Sequence, residues 1–243
     1  MEYVLILGAK SDLGQSLAIK YAKKGFNLYL TARNPFELKD FQNDLVVRYN
    51  VLVKTIRFDA STFKSHKKTY EKLNPKPKVA IYVIGYLSNH EKAENDFEEV
   101  KKLVNANYLG CISILNIIAN DFEKRESGTI VGISSVAGDR GRKSNYLYGS
   151  TKAGFTSYLS GLRGRLYKSK VHVLTVKPGF MKTKMTEHLK FPNILTSTTK
   201  DVANIIFEAE RKKKDIIYIK NFWKYIMFTI RAVPEKIFKR ISL

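Results

Sequence analysis

The sequence predicts a single-domain α/β fold, a Rossmann-like doubly wound parallel sheet, followed by a C-terminal amphipathic helical tail. Three observations predict it. Strand-like and helix-like stretches alternate from end to end, as successive βαβ units require. The first strand runs directly into a glycine-containing turn, Gly8-Ala-Lys-Ser-Asp-Leu-Gly14, that opens a helix. The 243 residues contain no internal repeat, low-complexity segment or linker, which suits one unit with a large core.

YVLIL (3–7) is a continuous apolar run, the pattern of a strand buried on both faces. Helical periodicity follows from about Leu13 to Lys24 and stops at Gly25. NLYLTA (27–32), VLVKTIRF (51–58), KVAIYVIG (78–85), GTIVGIS (128–134), VHVLTVK (171–177) and DIIYIK (215–220) read as further strands. Amphipathic stretches lie between them, the longest near 95–125 and 146–168. Everything from 1 to 220 therefore reads as one domain. The tail, 221–243, places Phe222, Trp223, Ile226, Met227, Ile230, Val233, Ile237, Phe238 and Ile241 at helical spacing among lysines and arginines. Pro234 breaks or kinks it. A basic amphipathic helix with an aromatic end suits a membrane interface, or a seat on the protein's own body or on a second subunit.

Composition excludes several classes. The formal net charge is +21, yet the lysines are scattered through the predicted helices with few aromatics between them. That pattern is a lysine-rich solvated surface, and no nucleic-acid partner is expected. A net attraction to anionic membranes or phosphorylated substrates follows. Cys111 is the single cysteine and lies in an apolar helical run, so it packs, and no internal disulfide forms. No Cys/His cluster suggests a metal. Met1 to Gly8 is too short for a signal peptide, and no run approaches the roughly 18 apolar residues of a membrane span. A cytoplasmic protein is expected, peripheral on the inner face of the plasma membrane where the tail meets lipid.

The nucleotide end lies in the first turn. A glycine there lets backbone amides approach a pyrophosphate, and the helix N-terminus attracts its charge. The spacing from Gly8 to Gly14 is a variant of the dinucleotide fingerprint, and Asp12 is a candidate helix cap. Arg33 follows the second strand, where an acidic residue would bind the ribose 2′-hydroxyl and an arginine would accommodate a 2′-phosphate. Lys10 adds a second positive charge. NADPH is therefore the expected cofactor, with NADH the alternative should Arg33 only stack on adenine. Asp59 ends the third strand, to accept from the adenine amino group or to cap the turn before Ser61.

The chemical end lies in ISSVAGDRGRKSNYLYGSTKAG. With 14 tyrosines in a lysine-rich chain, a Tyr-x3-Lys pair alone carries little. Tyr148 and Lys152 matter because Ser135 lies upstream at a strand end and KPGFMKT follows the next strand. Four residues apart on a helix, Tyr148 and Lys152 share a face. A nearby ammonium favours the phenolate and is expected to lower the phenol pKa from about 10. Tyr148 then gives a proton to a carbonyl oxygen as hydride reaches the carbon, and Ser135 stabilises that oxygen.

On these residues the first 220 positions resemble the short-chain dehydrogenase/reductase family. The resemblance implies Ser135, Tyr148 and Lys152 as a catalytic trio, with Asn107, in NANYLG, as a fourth member that holds a water. It implies that Pro178, Gly179, Met181 and Thr183 line the nicotinamide carboxamide and that Lys152 binds the nicotinamide ribose. The candidate cofactor-binding set is thus Gly8, Lys10, Ser11, Asp12, Leu13, Gly14, Arg33, Asp59, Ala60, Gly85, Asn107, Tyr148, Lys152, Pro178, Gly179, Met181 and Thr183. Two departures stand out: Tyr82-Val83-Ile84-Gly85 replaces the family's Asn-Asn-Ala-Gly, and Asp12 replaces its second glycine.

Over nearly the whole chain, SSVAGDRGRKSNYLYGSTKAG, GAKSDLG, TKMTEHLK and FWKYIMFTIRAVPEKIFKRI are similar to decaprenylphosphoryl-2-keto-ribose reductases. That resemblance implies reduction of the 2-keto group of a polyprenyl-phosphate-linked pentose, keto-ribose to arabinose, for cell-surface glycan synthesis. It also implies a flavin oxidase partner, and a homo-oligomer is expected. Arg140, Arg142 and Lys143 are candidate substrate residues for a phosphodiester or sugar hydroxyls, or else an exposed basic loop. The alternatives are a reductase of a soluble, acyl-linked or steroid-like ketone, and a non-catalytic dinucleotide sensor or nucleic-acid-binding domain.

Overall fold

The computed structural model describes residues 2–187 and 192–241. The end of the TKMTEHLK segment, 188–190, and the last two residues of the tail lie outside the described residues.

β1 (Tyr3–Leu7), α1 (Asp12–Ala22), β2 (Asn27–Ala32), α2 (Lys39–Tyr49), β3 (Val53–Arg57), α3 (Phe63–Glu71) and β4 (Val79–Tyr82) form the first half. The helices α4 (His90–Asn95), α5 (Phe97–Val104) and α6 (Gly110–Lys124) lead to β5 (Thr129–Ile133), and α7 (Tyr146–Leu166) leads to β6 (His172–Lys177). A two-stranded ribbon, β7 (Phe180–Met181) with β8 (Thr196–Ser197), precedes α8 (Thr199–Arg211) and the edge strand β9 (Ile216–Tyr218). The tail forms α9 (Phe222–Ala232) and α10 (Glu235–Phe238).

Seven strands pair in parallel in the order β3-β2-β1-β4-β5-β6-β9, and all seven fall within predicted strand segments. The chain runs outward from β1 to β3, then crosses back to β4 on the other side of β1. The gap between the C-terminal ends of β1 and β4 is the switch point where such sheets bind ligands.

The two-residue period of a strand explains the two cores. From β1, Val4 and Ile6 point into one layer with Leu17 of α1, Leu45 of α2 and Ile206 of α8. Tyr3, Leu5 and Leu7 point into the other with Tyr70 of α3, Ile114 of α6 and Phe155 of α7. Both faces are covered, so every residue of β1 is buried. Each large aliphatic side chain so buried contributes about 1.5–3 kcal/mol.

The run Phe97–Lys124 is 28 residues long and holds an 18-residue window of mean hydropathy 1.3, long and apolar enough by length and composition to cross a bilayer. The expectation that no stretch reaches that mark is thus corrected. Its Cys111, Ile114, Leu115, Ile118 and Phe122 are fully buried in the second core, which accounts for the apolarity.

Candidate active site

The first turn of α1 faces the switch point. Gly8 has φ +103°, a left-handed value that a side chain would strain. A Cβ on Gly14 would sit 2.4 Å from the Gly8 carbonyl oxygen, so α1 can press onto the end of β1 only with glycine there. Ser11 is the N-cap: its hydroxyl accepts from Gly14 N at 3.1 Å and donates to Gly8 O at 2.8 Å. The capping role expected of Asp12 is therefore corrected. Asp12 is the first helical residue, and its carboxylate accepts from Lys184 N at 2.7 Å, tying the segment after β7 to the head of α1. Leu13 packs inward from the same turn.

Arg33 is exposed just past β2. Lys10 is not a free second cation: it forms an ion pair with Glu37 in the turn after Arg33. That pairing holds the Glu37 carboxyl below its usual range, with Arg33 adding to the pull. Asp59 accepts from Ser61 N at 2.9 Å as a turn cap, and the next residue, Ala60, is buried. Met181 packs against the first core. The Thr183 amide donates to the Thr186 hydroxyl at 3.3 Å, and Thr186 in turn donates to Met181 O at 2.6 Å, folding the segment after Pro178-Gly179 back on itself.

The chemical end gathers on β5 and α7. Ser134 N donates to Val176 O and Val136 N to Pro178 O, which fixes Ser135 beside the end of β6. Ser135 accepts from Ala137 N at 3.1 Å and hydrogen-bonds the Tyr148 phenol. Lys152 is 4% exposed and donates to Ile133 O at 3.1 Å. Its ammonium lies 5.7 Å from the centre of the Tyr148 ring. Burial pushes the Tyr148 phenol up to about 12, with Ser135 opposing. Burial likewise pulls Lys152 down to about 8. The expected lowering of the phenol pKa by the lysine is therefore corrected: desolvation raises it, and the opposing pull comes from Ser135.

Asn107 is fully buried in a π-helical turn, Asn105–Leu109, between α5 and α6. Such one-turn widenings displace a side chain from the helix register. Its amide accepts from Tyr86 N at 2.7 Å and donates to Tyr86 O at 2.8 Å. A third bond reaches the Thr151 hydroxyl at 3.3 Å, one residue before Lys152. A Cβ on Gly85 would lie 3.7 Å from Lys152 Nζ and 3.8 Å from Asn107 Oδ1, so the two side chains converge there.

The loop between Ser135 and Tyr148 is built differently from expectation. Arg140 is not free to receive a substrate anion, and its assignment to substrate is corrected. Its guanidinium donates to the carbonyls of Ile230, Arg231 and Val233 at 3.1, 3.0 and 2.6 Å, pairs with Glu235 and stacks over Phe238. Asp139, beside it, accepts from Lys177 at 2.5 Å and from the Tyr218 hydroxyl at 2.7 Å. Adjacent residues of one loop thus grip β6 and β9 on the inside and the tail on the outside. Arg142 and Lys143 do line a cleft opposite α10. The tail also seats on the body: Trp223 and Met227 are buried with Val136, and a Cβ on Gly179 would strike the Trp223 indole at 2.1 Å.

Sequence reasoning overlooked Tyr86, Thr151 and Asp139. Thr151 alone left a signal, a polar residue on the inward side of α7 next to Lys152. Among the described residues, no group of three or more His, Cys, Asp or Glu converges to hold a metal ion.

The short chain dehydrogenase family model matches residues 2–192. The chain is similar to an uncharacterized oxidoreductase of Mycobacterium tuberculosis, 31% identical over 241 residues that cover 98% of this chain and 96% of the relative. It is also similar to the NADP-dependent 3-hydroxy acid dehydrogenase of Schizosaccharomyces pombe, 25% identical and covering 88% of each chain. Among solved structures, a short-chain dehydrogenase from Sphingobium yanoikuyae in complex with NADPH superposes with TM-score 0.83 at 19% identity, covering 97% of both chains. One from Burkholderia cenocepacia in complex with NADP gives 0.84 at 18% identity, covering 99% of this chain and 98% of that one. At those identities the structural likeness speaks to the fold.

Proposed function

We propose, from the premise that this chain belongs to the short-chain dehydrogenase family, that it is an NADPH-dependent ketoreductase. The observation that carries this is the convergence of Ser135, Tyr148 and Lys152 at the carboxyl edge of the sheet, beside the α1 turn. The residues fit a dinucleotide: Gly8 and Gly14 bring backbone amides to the switch point, and Arg33 meets a 2′-phosphate. The NADP and NADPH bound by structural relatives point the same way.

When bound, the reduced nicotinamide supplies the hydride. Tyr148, protonated through the neutral range, donates its proton to the substrate carbonyl oxygen. Ser135 hydrogen-bonds the same oxygen and stabilises its developing charge. The Lys152 ammonium stabilises the phenolate that remains, and Asn107 orders the space around Gly85 through which that phenolate regains a proton. Pro178, Gly179, Met181 and Thr183 close the nicotinamide side, and the Asp12–Lys184 bond closes the outer edge.

The finer reading is a polyprenyl-phosphate-linked keto-pentose, reduced from the 2-keto-ribose to the arabinose form for cell-surface glycans, the keto group coming from a flavin oxidase. Its supports are the sequence resemblance, the cationic pair Arg142 and Lys143, and a tail whose Tyr225 and Phe228 are 68% and 75% exposed among cations. In this reading 1–220 form the reductase domain, and 221–243 wall the substrate cleft and meet the inner face of the membrane. A long-chain acyl substrate is the second reading, favoured by similarity to the very-long-chain 3-oxoacyl-CoA reductase of Rattus norvegicus, 28% identical over 198 residues. The test is NADPH oxidation with a farnesyl-phosphoryl 2-keto-pentose against a 3-oxoacyl-CoA. Turnover of the keto-sugar with arabinose product is expected. Turnover of the acyl thioester alone selects the second reading, and failure to bind NADPH removes both.

A further inference from the structure

His66 of α3 is fully buried, and the proposed chemistry makes no use of it. An imidazole shut away from water costs stability unless its ring nitrogens find partners. Both of them do. Nε2 lies 2.9 Å from the Asp59 carbonyl oxygen, and Nδ1 lies 2.9 Å from the Ser113 hydroxyl of α6. A carbonyl can only accept, so Nε2 carries the proton and Nδ1 accepts from Ser113. The ring stacks on Phe58 with centroids 4.6 Å apart and meets Phe63 edge-on at 5.9 Å. Its place and its tautomer are thereby fixed. Complete pairing is not automatic in this core, because buried His172 leaves Nδ1 without a hydrogen bond.

What His66 grips is the turn at 59–62, on the carboxyl edge of the sheet. Phe58 N donates to Ala32 O at 2.9 Å, so the turn starts beside the end of β2, where Arg33 follows. The Asp59 carboxylate accepts from Ser61 N at 2.9 Å. The Asp59 carbonyl accepts from Thr62 N at 3.1 Å as well as from His66. Asp59 is thus held at both its backbone and its side chain.

The next residue is pinned from the other side. A Cβ on Gly110, the first residue of α6, would lie 2.5 Å from Ala60 O and 2.8 Å from Ala60 Cβ. Gly110 and Ser113 are three apart and share one face of that helix. The face that presses on Ala60 therefore also anchors the ring that holds Asp59. An aliphatic side chain at position 66 would fill the space and hold neither Asp59 nor Ser113.

We propose that His66 is the positioning residue for the adenine end of the cofactor site, setting where Asp59 and Ala60 stand without touching the cofactor itself. The inference rests on the ketoreductase reading for what occupies the turn. It implies a division of labour. His66 governs affinity for the adenine half of the dinucleotide, and proton transfer at Tyr148 proceeds independently of it.

The test uses two half-replacements of the ring. A glutamine amide nitrogen reaches the place of Nε2, and an asparagine amide reaches only the place of Nδ1. His66→Gln therefore keeps a donor for Asp59 O, and His66→Asn keeps only a partner for Ser113. Calorimetry on the full chain reads the affinity for adenosine 2′,5′-bisphosphate, the adenine half of NADPH, and fluorescence titration reads NADPH. His66→Asn is expected to weaken both ligands at least about fivefold, the scale of one hydrogen bond, and His66→Gln to stay within about twofold of the wild type. In turnover, His66→Asn is expected to raise KM for NADPH more than it lowers kcat. Ser113→Ala removes the second anchor of the ring and is expected to weaken adenosine 2′,5′-bisphosphate by less than His66→Asn does. Should His66→Asn fail to fold, wild-type affinity in Ser113→Ala overturns the inference. Wild-type affinity in a folded His66→Asn, equal losses in the Asn and Gln variants, or a loss confined to kcat overturns it too. A merely structural histidine gives the first of these patterns, with lower melting temperatures and unchanged affinity. Failure of the wild type to bind NADPH counts instead against the ketoreductase reading, and the inference falls with it.

Discussion

Asn107 and Tyr86 hold each other by two reciprocal bonds, Tyr86 N to Asn107 Oδ1 at 2.7 Å and Asn107 Nδ2 to Tyr86 O at 2.8 Å. The side-chain amide substitutes for a missing backbone partner where β4 has ended and α4 has not begun. Asn107→Leu leaves the Tyr86 N–H and C=O without partners in a shielded place. Each such loss costs about 1–3 kcal/mol. The variant is expected to unfold at lower urea and to lose turnover, whereas Tyr86→Phe, which keeps the backbone bonds and removes only the hydroxyl's bond to Glu99, retains most of its turnover. Equal stability of Asn107→Leu and wild type would show that water satisfies these groups.

Tyr148→Phe preserves the ring and removes the proposed proton donor. General acids contribute about 10²–10⁴-fold. Turnover is expected to fall within that range while NADPH affinity, measured by fluorescence titration, changes little. Wild-type turnover by the variant would remove Tyr148 from the chemistry.

Lys152 supplies a pH signature. Its ammonium is present below about 8 and lost above. For ketone reduction, kcat/KM is expected to be flat below that value and to fall above it, and Lys152→Met is expected to lack the falling limb. Tyr148 contributes no limb in this range, because its phenol stays protonated to about 12. Stability carries the opposite sign. Between about 8 and the ordinary 10.5 the unfolded chain binds the proton that the folded chain has shed, so stability rises with pH in that window. Urea titrations of wild type and Lys152→Met, compared across the window, read this directly.

In the proposed reading, cofactor choice turns on Arg33, Lys10 and Glu37 together. Arg33→Asp is expected to shift the kcat/KM ratio from NADPH towards NADH by repelling the 2′-phosphate. Glu37→Gln is expected to move it the other way, because it releases Lys10 from its ion pair. An unchanged ratio in both variants would place the 2′ position elsewhere.

The five inner strands were legible because each is buried on both faces and so leaves a mostly apolar run, and the half-exposed edge strands β3 and β9 because they extend the same alternation of strands and helices. The β7–β8 ribbon was not, since strands of two residues have no period to read. Ser11 and Asp12 are both cap-forming residue types, and only the point where β1 ends decides between them. Tyr148, Lys152 and Ser135 were recognisable because local spacing brings them together. Arg140 was misread for the opposite reason: its partners are main-chain carbonyls some 90 residues on, invisible to any residue pattern. Pro234 correctly marked the break between α9 and α10, but helical spacing could not say which face is covered.

The tail must be probed by point variants because it is a wall of the body as well as a surface. Deleting 221–243 would strip Trp223 from Gly179 and Phe238 from Arg140, so loss of activity would say nothing about membranes. Two single changes separate the roles. Arg140→Met releases the α9 carbonyls and Glu235 and is expected to speed proteolysis of the tail and raise KM more than it lowers kcat. Phe228→Glu alters only the exposed face, where burial of an aromatic at an interface contributes up to about 1.5–3 kcal/mol. Each cation beside it, such as Lys224 or Arg231, adds about 1 kcal/mol against anionic lipid. The wild type is therefore expected to sediment with phosphatidylserine vesicles, less at high salt. Phe228→Glu is expected to stay in the supernatant with unchanged turnover of a soluble ketone. Sedimentation of both proteins alike would assign the exposed face of α9 to a second subunit or to solvent, and leave the tail with its role as a wall of the cleft.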